Sequence, residues 1–151
     1  MPRAINDAGL AIIKQYEGLR LQPYDDGAGN QTIGYGHKIK DGEDFSDGIT
    51  EDQAEALLES DLYDAENEVQ SYIHVFLNDN QYSALVSLVF NCGSRPLTLQ
   101  LGQLLNQGDY DGAAHHFLFY DEVNGVPVSG LQKRRIAESG LFVTPMVSSN
   151  A

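Results

Sequence analysis

One long helical period, followed closely by a nearly all-apolar one, limits more than any other feature how this chain can fold. In "ITEDQAEALLESDLYDAENEVQSYI", Ala54, Leu57, Leu58, Leu62, Ala65 and Val69 recur at steps of three and four. That repeat lines one face of a helix with apolar side chains. Thr50 and Gln53 form a capping box, so the helix is expected over about Glu51–Tyr72. "NDNQYSALVSLVFNCG" is apolar almost all round in its later part, which predicts a helix at the centre of the core. "LTLQLGQLLNQGD" and "YDGAAHHFLFYDE" read as two shorter helices parted by Gly108, and "VNGVPVSG" reads as a loop. "LQKRRIAESGLF" reads as a final helix and "VTPMVSSNA" as a frayed tail.

The N-terminal part differs. "INDAGLAIIKQYEG" predicts a helix capped by Asn6 or Asp7 and stopped by Gly18. Leu10, Ile13 and Glu17 share its apolar face, where a carboxyl must be paired or must hold its proton more tightly than usual. In "QPYDDGAGNQTIGYGHKI", Gly27, Gly29 and Asn30 supply turn chemistry. Alternation then sets Ile33, Tyr35, His37 and Ile39 against Thr32, Gly34, Gly36 and Lys38. The first face is expected to pack; the second is nearly bare, leaving room for close approach in a small hairpin or meander. The sum is an α+β fold, mostly helical, in one domain over residues 1–151. A β lobe is expected at about 18–50, a helical lobe at about 51–143 joined by helix 6–17, and a flexible tail at 144–151. The natural ligand site is the cleft between the lobes.

Composition removes several functions. A net charge of −13 and a pI near 4.4 argue against binding to nucleic acid or anionic membranes. No apolar run reaches membrane-spanning length, and "MPRAINDAGL" lacks the apolar core of a secretory leader. Cys92 is the only cysteine, so no intrachain disulfide can form; in "LVFNCGS" it reads as a small buried hydrophobe. The acidic loop Asp41–Gly48 fails calcium-loop spacing, because Phe45 and Ser46 stand where a ligand and the glycine belong. Neither an HExxH helix nor a G-x-S-x-G elbow is present, and neither metal nor cofactor is expected. The run Lys133–Arg135 reads either as a solvated face or as a site for an anionic partner.

Glu17 and Asp26 carry the chemistry. One ends an apolar helix face and the other sits in a polar, glycine-containing turn, so their proton affinities are expected to diverge. One then serves as acid while the other stays ionised, the division of labour that glycoside hydrolysis uses. Thr32 adds a hydroxyl able to orient a water. "YEGLRLQPYDDGAGNQTIGYGH" resembles the phage-type lysozymes, glycoside hydrolase family 24, whose signature is Glu, eight residues, Asp or Cys, five residues, Thr. Glu17, Asp26 and Thr32 fit without a gap, and the resemblance runs through "ITEDQAEALLESDL", "LVFNCGS", "LLNQGDYDGAAHHF" and "GLQKRRIAESGLF".

The resemblance implies a lysozyme-like fold and a muramidase that cleaves the β-1,4 bond between N-acetylmuramic acid and N-acetylglucosamine. It implies Glu17 as general acid, Asp26 as base or electrostatic partner, and Thr32 as a holder of the attacking water. The family is inverting, for which the carboxyls stand roughly 6.5–9.5 Å apart. Gly34, Lys38, Asn91, Arg134 and Arg135 are the expected substrate contacts, with one arginine reaching Glu17 or a substrate carboxylate and the other pairing with Glu138. His37 and Asp61 are expected to form a structural ion pair between the lobes. The chain departs from the family's pattern at Arg95 and Pro96, in the acidic "FLFYDEVNG", and in having no tryptophan. Local positive potential is expected from Arg20, Lys38 and Lys133–Arg135. The implied partner is the glycan strand of peptidoglycan. The implied protein is a monomeric phage or prophage endolysin, made in the host cytoplasm and acting on the wall. The competing readings are a secreted antibacterial effector, an inactive peptidoglycan-binding module, and a lytic transglycosylase using a lone acid.

Overall fold

Capping side chains set the helix ends. In the computed structural model, which describes residues 3–146, α1 spans Asp7–Glu17 and Asn6 accepts a bond from Gly9 N. The long helix α2 spans Glu51–Tyr72, and the Thr50–Gln53 capping box is formed in both directions. α3 spans Asp79–Cys92 behind a second capping box, Asn78–Gln81. Every residue of α3 from Tyr82 to Val89 is buried, and α1, α2 and α7 pack around it. Leu85, Leu88, Ile13, Leu58 and Phe142 are among the fully or nearly fully buried core side chains, each worth about 1.5–3 kcal/mol in apolar burial.

Between α1 and α2 lies an antiparallel sheet in the order β1–β2–β3, of Arg20–Asp25, Gln31–Gly34 and His37–Lys38. The alternation read over residues 31–39 is therefore broken by a reversal at Tyr35–Gly36. The two faces survive it, because Ile33 pairs with His37 and Thr32 with Lys38. Pairing with β1 slips between Arg20 and Tyr24, a stretch holding Pro23, which has no N–H for a ladder.

After α3 the chain forms α4 (Arg95–Thr98), α5 (Gln100–Asn106), α6 (Tyr110–His116) and a 3-10 turn at Phe117–Phe119. The stretch read as one helix around "LTLQLGQLLNQGD" thus begins with a separate short turn of helix. "VNGVPVSG" is not simply a loop. β4 (Glu122–Val123) and β5 (Val126–Pro127) pair across Asn124–Gly125, both at positive φ, as a two-residue hairpin turn requires. α7 spans Ser129–Val143. The tail expected from residue 144 lies, from 147 on, outside the described residues.

Candidate active site

Glu17 is the last residue of α1, and Gly18 at φ 71° turns the chain away toward the sheet. The carboxyl therefore sits where sheet and helices meet. Its Oε2 accepts a hydrogen bond from Arg134 Nη1 at 2.7 Å. Its Oε1 faces Gly36, where a Cβ would lie only 2.5 Å away. Gly36 also has φ +77°, so a side chain there is opposed by backbone and space alike. A groove of about 430 Å³ opens at Glu17 between Gly36 and Lys38 on the sheet side, Asp61 and Asp64 of α2, and Phe90 and Asn91 of α3.

Asp26 is exposed and held by its own turn. Its Oδ1 accepts from Ala28 N at 2.8 Å and Asn30 N at 3.1 Å, and its Oδ2 from Asn30 Nδ2 at 3.1 Å. The Ala28 and Asn30 N–H groups, with Lys38 nearby, hold this carboxyl below its ordinary value. Burial pushes the Tyr24 phenol up, and the charges of Glu17 and Asp26 add to it. Neither Asp26 nor Thr32 is among the residues that line the groove at Glu17. Tyr24, Thr32 and Lys38 are opposite one another across β1, β2 and β3, so they form a row on one face of the sheet. Thr32 is 3% exposed, and its hydroxyl makes only a 3.5 Å contact with Asn30 O.

Three of the expected substrate contacts, Gly34, Arg134 and Arg135, are buried. Gly34 is buried against Ala54 and Ile49; it sits at the reversal, where its open side faces α2. The glycine that makes room at Glu17 is Gly36. Arg134 and Arg135 are neither solvated nor open to a ligand, being 3% and 0% exposed. Glu138, also fully buried, holds both: Arg134 Nε lies 3.2 Å from its Oε2 and Arg135 Nε 2.8 Å from its Oε1. Ser87 Oγ donates to Glu138 Oε2 at 2.5 Å. Arg134 is the one that reaches Glu17. Arg135 donates to Asn91 Oδ1 and Cys92 Sγ, each at 2.6 Å, so Cys92 is an ion-pair neighbour rather than an isolated hydrophobe. Burial pushes its thiol up. Of the expected positive potential, only Arg20, Lys38 and Lys133 remain at the surface.

His37 Nδ1 lies 2.8 Å from Asp61 Oδ2, as expected, and its Nε2 lies 3.0 Å from Glu43 Oε1. Glu43 belongs to the acidic loop Asp41–Gly48. Its position three residues past Lys40, whose N–H it also accepts, was the available signal for a turn that folds back on the sheet.

A carboxyl at a helix end opens on a groove between sheet and helices. The phage lysozyme profile matches residues 14–138, and the chain belongs to the phage lysozyme family. It is 45% identical over 143 residues to the endolysin of Acyrthosiphon pisum secondary endosymbiont phage 1, covering 91% of this chain and 97% of that one. The endolysin of Salmonella phage P22 is 38% identical over 144 residues, covering 93% and 98%. Among solved structures, the muramidase domain of SpmX from Asticaccaulis excentricus matches with TM-score 0.84 and 34% identity, over 95% of this chain and 99% of that one. The fold is accordingly lysozyme-like and the chain a glycoside hydrolase of peptidoglycan. No helix among the described residues is long and apolar enough to cross a membrane.

Proposed function

We propose that Glu17 is the general acid of a muramidase, giving its proton to the bridging oxygen as the β-1,4 bond breaks. Asp26 takes a proton from the water that attacks the opposite face, and the Thr32 hydroxyl orients that water, giving inversion. The observation that carries this reading is the split use of Glu17. Arg134 fixes one oxygen, while the other faces the space that Gly36 leaves open. Asp26 supports its half, since three N–H bonds keep it ionised and able to accept a proton. Lys38 and Asn91 line the groove and are the substrate contacts we retain. Arg134 and Arg135 become positioning residues, for Glu17 and Asn91 respectively. The His37–Asp61 pair ties the sheet to α2.

The same reading takes residues 1–151 as one unit with the lobes given above, acting as a monomer. It takes the protein as a phage or prophage endolysin made in the host cytoplasm and acting on the wall. Reducing-end release from purified peptidoglycan tests the chemistry. Glu17→Gln should lose about 10²–10⁴-fold in rate, the worth of a positioned acid; equal release by both proteins would remove Glu17 from the role. Asp26→Asn should also fail. If it stays active and the products carry anhydro-muramyl ends, the lone-acid transglycosylase reading takes over.

A further inference from the structure

A second cavity lies apart from the groove at Glu17 and shares no lining residue with it. It holds about 470 Å³ where the N-terminal segment and α1 meet α2. Ile5, Leu10, Leu58, Leu62 and Tyr63 make its apolar wall. Leu58 and Leu62 are buried and form the floor, while Tyr63 is exposed at the rim. Glu55, Glu59 and Glu66 complete the lining, and no basic side chain among the described residues joins them. The acids fall at i, i+4 and i+11 on α2 and the two leucines at i+3 and i+7, so one stripe of the helix faces the cavity.

The three acids are not equally satisfied. Glu55 is paired with Lys14 of α1. Glu59 is in no ion pair among the described residues. Glu66 is only 8% exposed. Its Oε2 accepts from Ile5 N at 2.8 Å, while its Oε1 accepts nothing among the described residues. That oxygen is not sealed from solvent, and the surface it keeps opens on this cavity. Burial pushes the Glu66 carboxyl up, the Ile5 N–H works against this, and the Glu59 charge adds to the rise. An apolar chamber with an unmatched carboxylate in its wall fits a small organic cation. A neutral hydrocarbon leaves the carboxylate unmatched, an anion is repelled, and a hydrated metal ion leaves the leucine floor uncovered. We infer that this cavity is a binding site for a small primary amine with an apolar body. The ammonium meets Glu66 Oε1 within reach of the Glu59 charge, and the body lies on Leu58 and Leu62. The bound amine joins the Ile5–Glu66 bond and the Lys14–Glu55 pair as a third tie between the N-terminal elements and α2. The site rests on no part of the proposed catalysis.

The probe is 2-phenylethylammonium, titrated into the full chain and followed by amide NMR shifts and by thermal unfolding. Shifts should saturate at Ile5, Leu10, Leu62 and Tyr63, and Tm should rise by about 3–6 °C at ten times the Kd. 2-Phenylethanol keeps the body without the charge, and methylammonium the charge without the body; each should bind at least about tenfold more weakly. 3-Phenylpropionate, with the charge reversed, should give no saturable shift. Glu66→Gln keeps an oxygen for the Ile5 N–H. It and Glu59→Gln should each lower the affinity for the ammonium about three- to tenfold, the worth of one charge-assisted contact, and leave that for the alcohol unchanged. The site is overturned if ammonium and alcohol bind alike, if their ratio is unchanged in both variants, or if shifts saturate at Gly36 and Asn91 in place of α2. Absence of any saturable shift overturns it too. No arm reads cleavage, so each of these outcomes leaves the muramidase reading standing.

Discussion

Glu138→Gln removes the charge on which both buried arginines depend. Arg134, Arg135 and Glu138 are 3%, 0% and 0% exposed, so water cannot replace what is lost. Glutamine keeps the shape, and no cavity term enters. Arg134 is left with Glu17 and the Ser87 carbonyl, and Arg135 with the neutral Asn91 oxygen and Cys92 sulfur. Removing one partner of a buried ion pair costs about 3–5 kcal/mol. For a chain of this length each kcal/mol moves Tm by about 2–4 °C, so a fall of about 6–20 °C is expected. Thermal and urea unfolding followed by circular dichroism measure it, with Ser87→Ala beside it. That variant deletes one hydrogen bond to Glu138 Oε2 but leaves both charges paired, and should cost about 1–3 kcal/mol. The reasoning fails if Glu138→Gln lies within about 1 kcal/mol of wild type, or if Ser87→Ala costs as much.

Burial lowers the His37 imidazole, but Glu43 and Asp61 more than offset it, so the ring titrates above its ordinary value. A raised folded pKa stabilises fully below the unfolded value of about 6.5 and loses that gain as pH climbs through the folded value. Urea midpoints across that rise should fall in wild type and much less in the double variant Asp61→Asn, Glu43→Gln; parallel curves would disprove the linkage. Gly36→Ala drives a methyl toward Glu17 Oε1 at φ +77°. It should cost about 1–3 kcal/mol in strain and at least about 10²-fold in rate through a displaced acid. Full activity in a destabilised Gly36→Ala protein would mean that Oε1 is not the reacting oxygen.

The legible parts of this fold are those whose signals are local. α2 runs over Glu51–Tyr72, as read, because a capping box and an apolar stripe lie within single turns of helix. The central place of α3 follows from its lack of a polar face. Alternation does not register the reversal at Tyr35–Gly36: pairing Ile33 with His37 puts both on one face whether or not the strand turns between them. β4 and β5 are two residues each, too short for any period. Asn124–Gly125 was the one mark they left.

The proposed active site divides the same way. Glu17, Asp26 and Thr32 fall within one stretch and could be singled out by spacing. What holds Glu17 in place could not, since Arg134 is 117 residues away. The run Lys133–Arg135 looks uniform, yet Lys133 is exposed and its two neighbours are buried. Successive residues on a helix point about 100° apart, and here one acid meets both adjacent arginines. That acid is Glu138, i+4 from Arg134 and i+3 from Arg135, and Ser87 completes it from α3. A basic pair followed at those two offsets by a single glutamate therefore carries information that a charge count discards. It marks cations bound for the interior, where they meet Glu17 and Asn91.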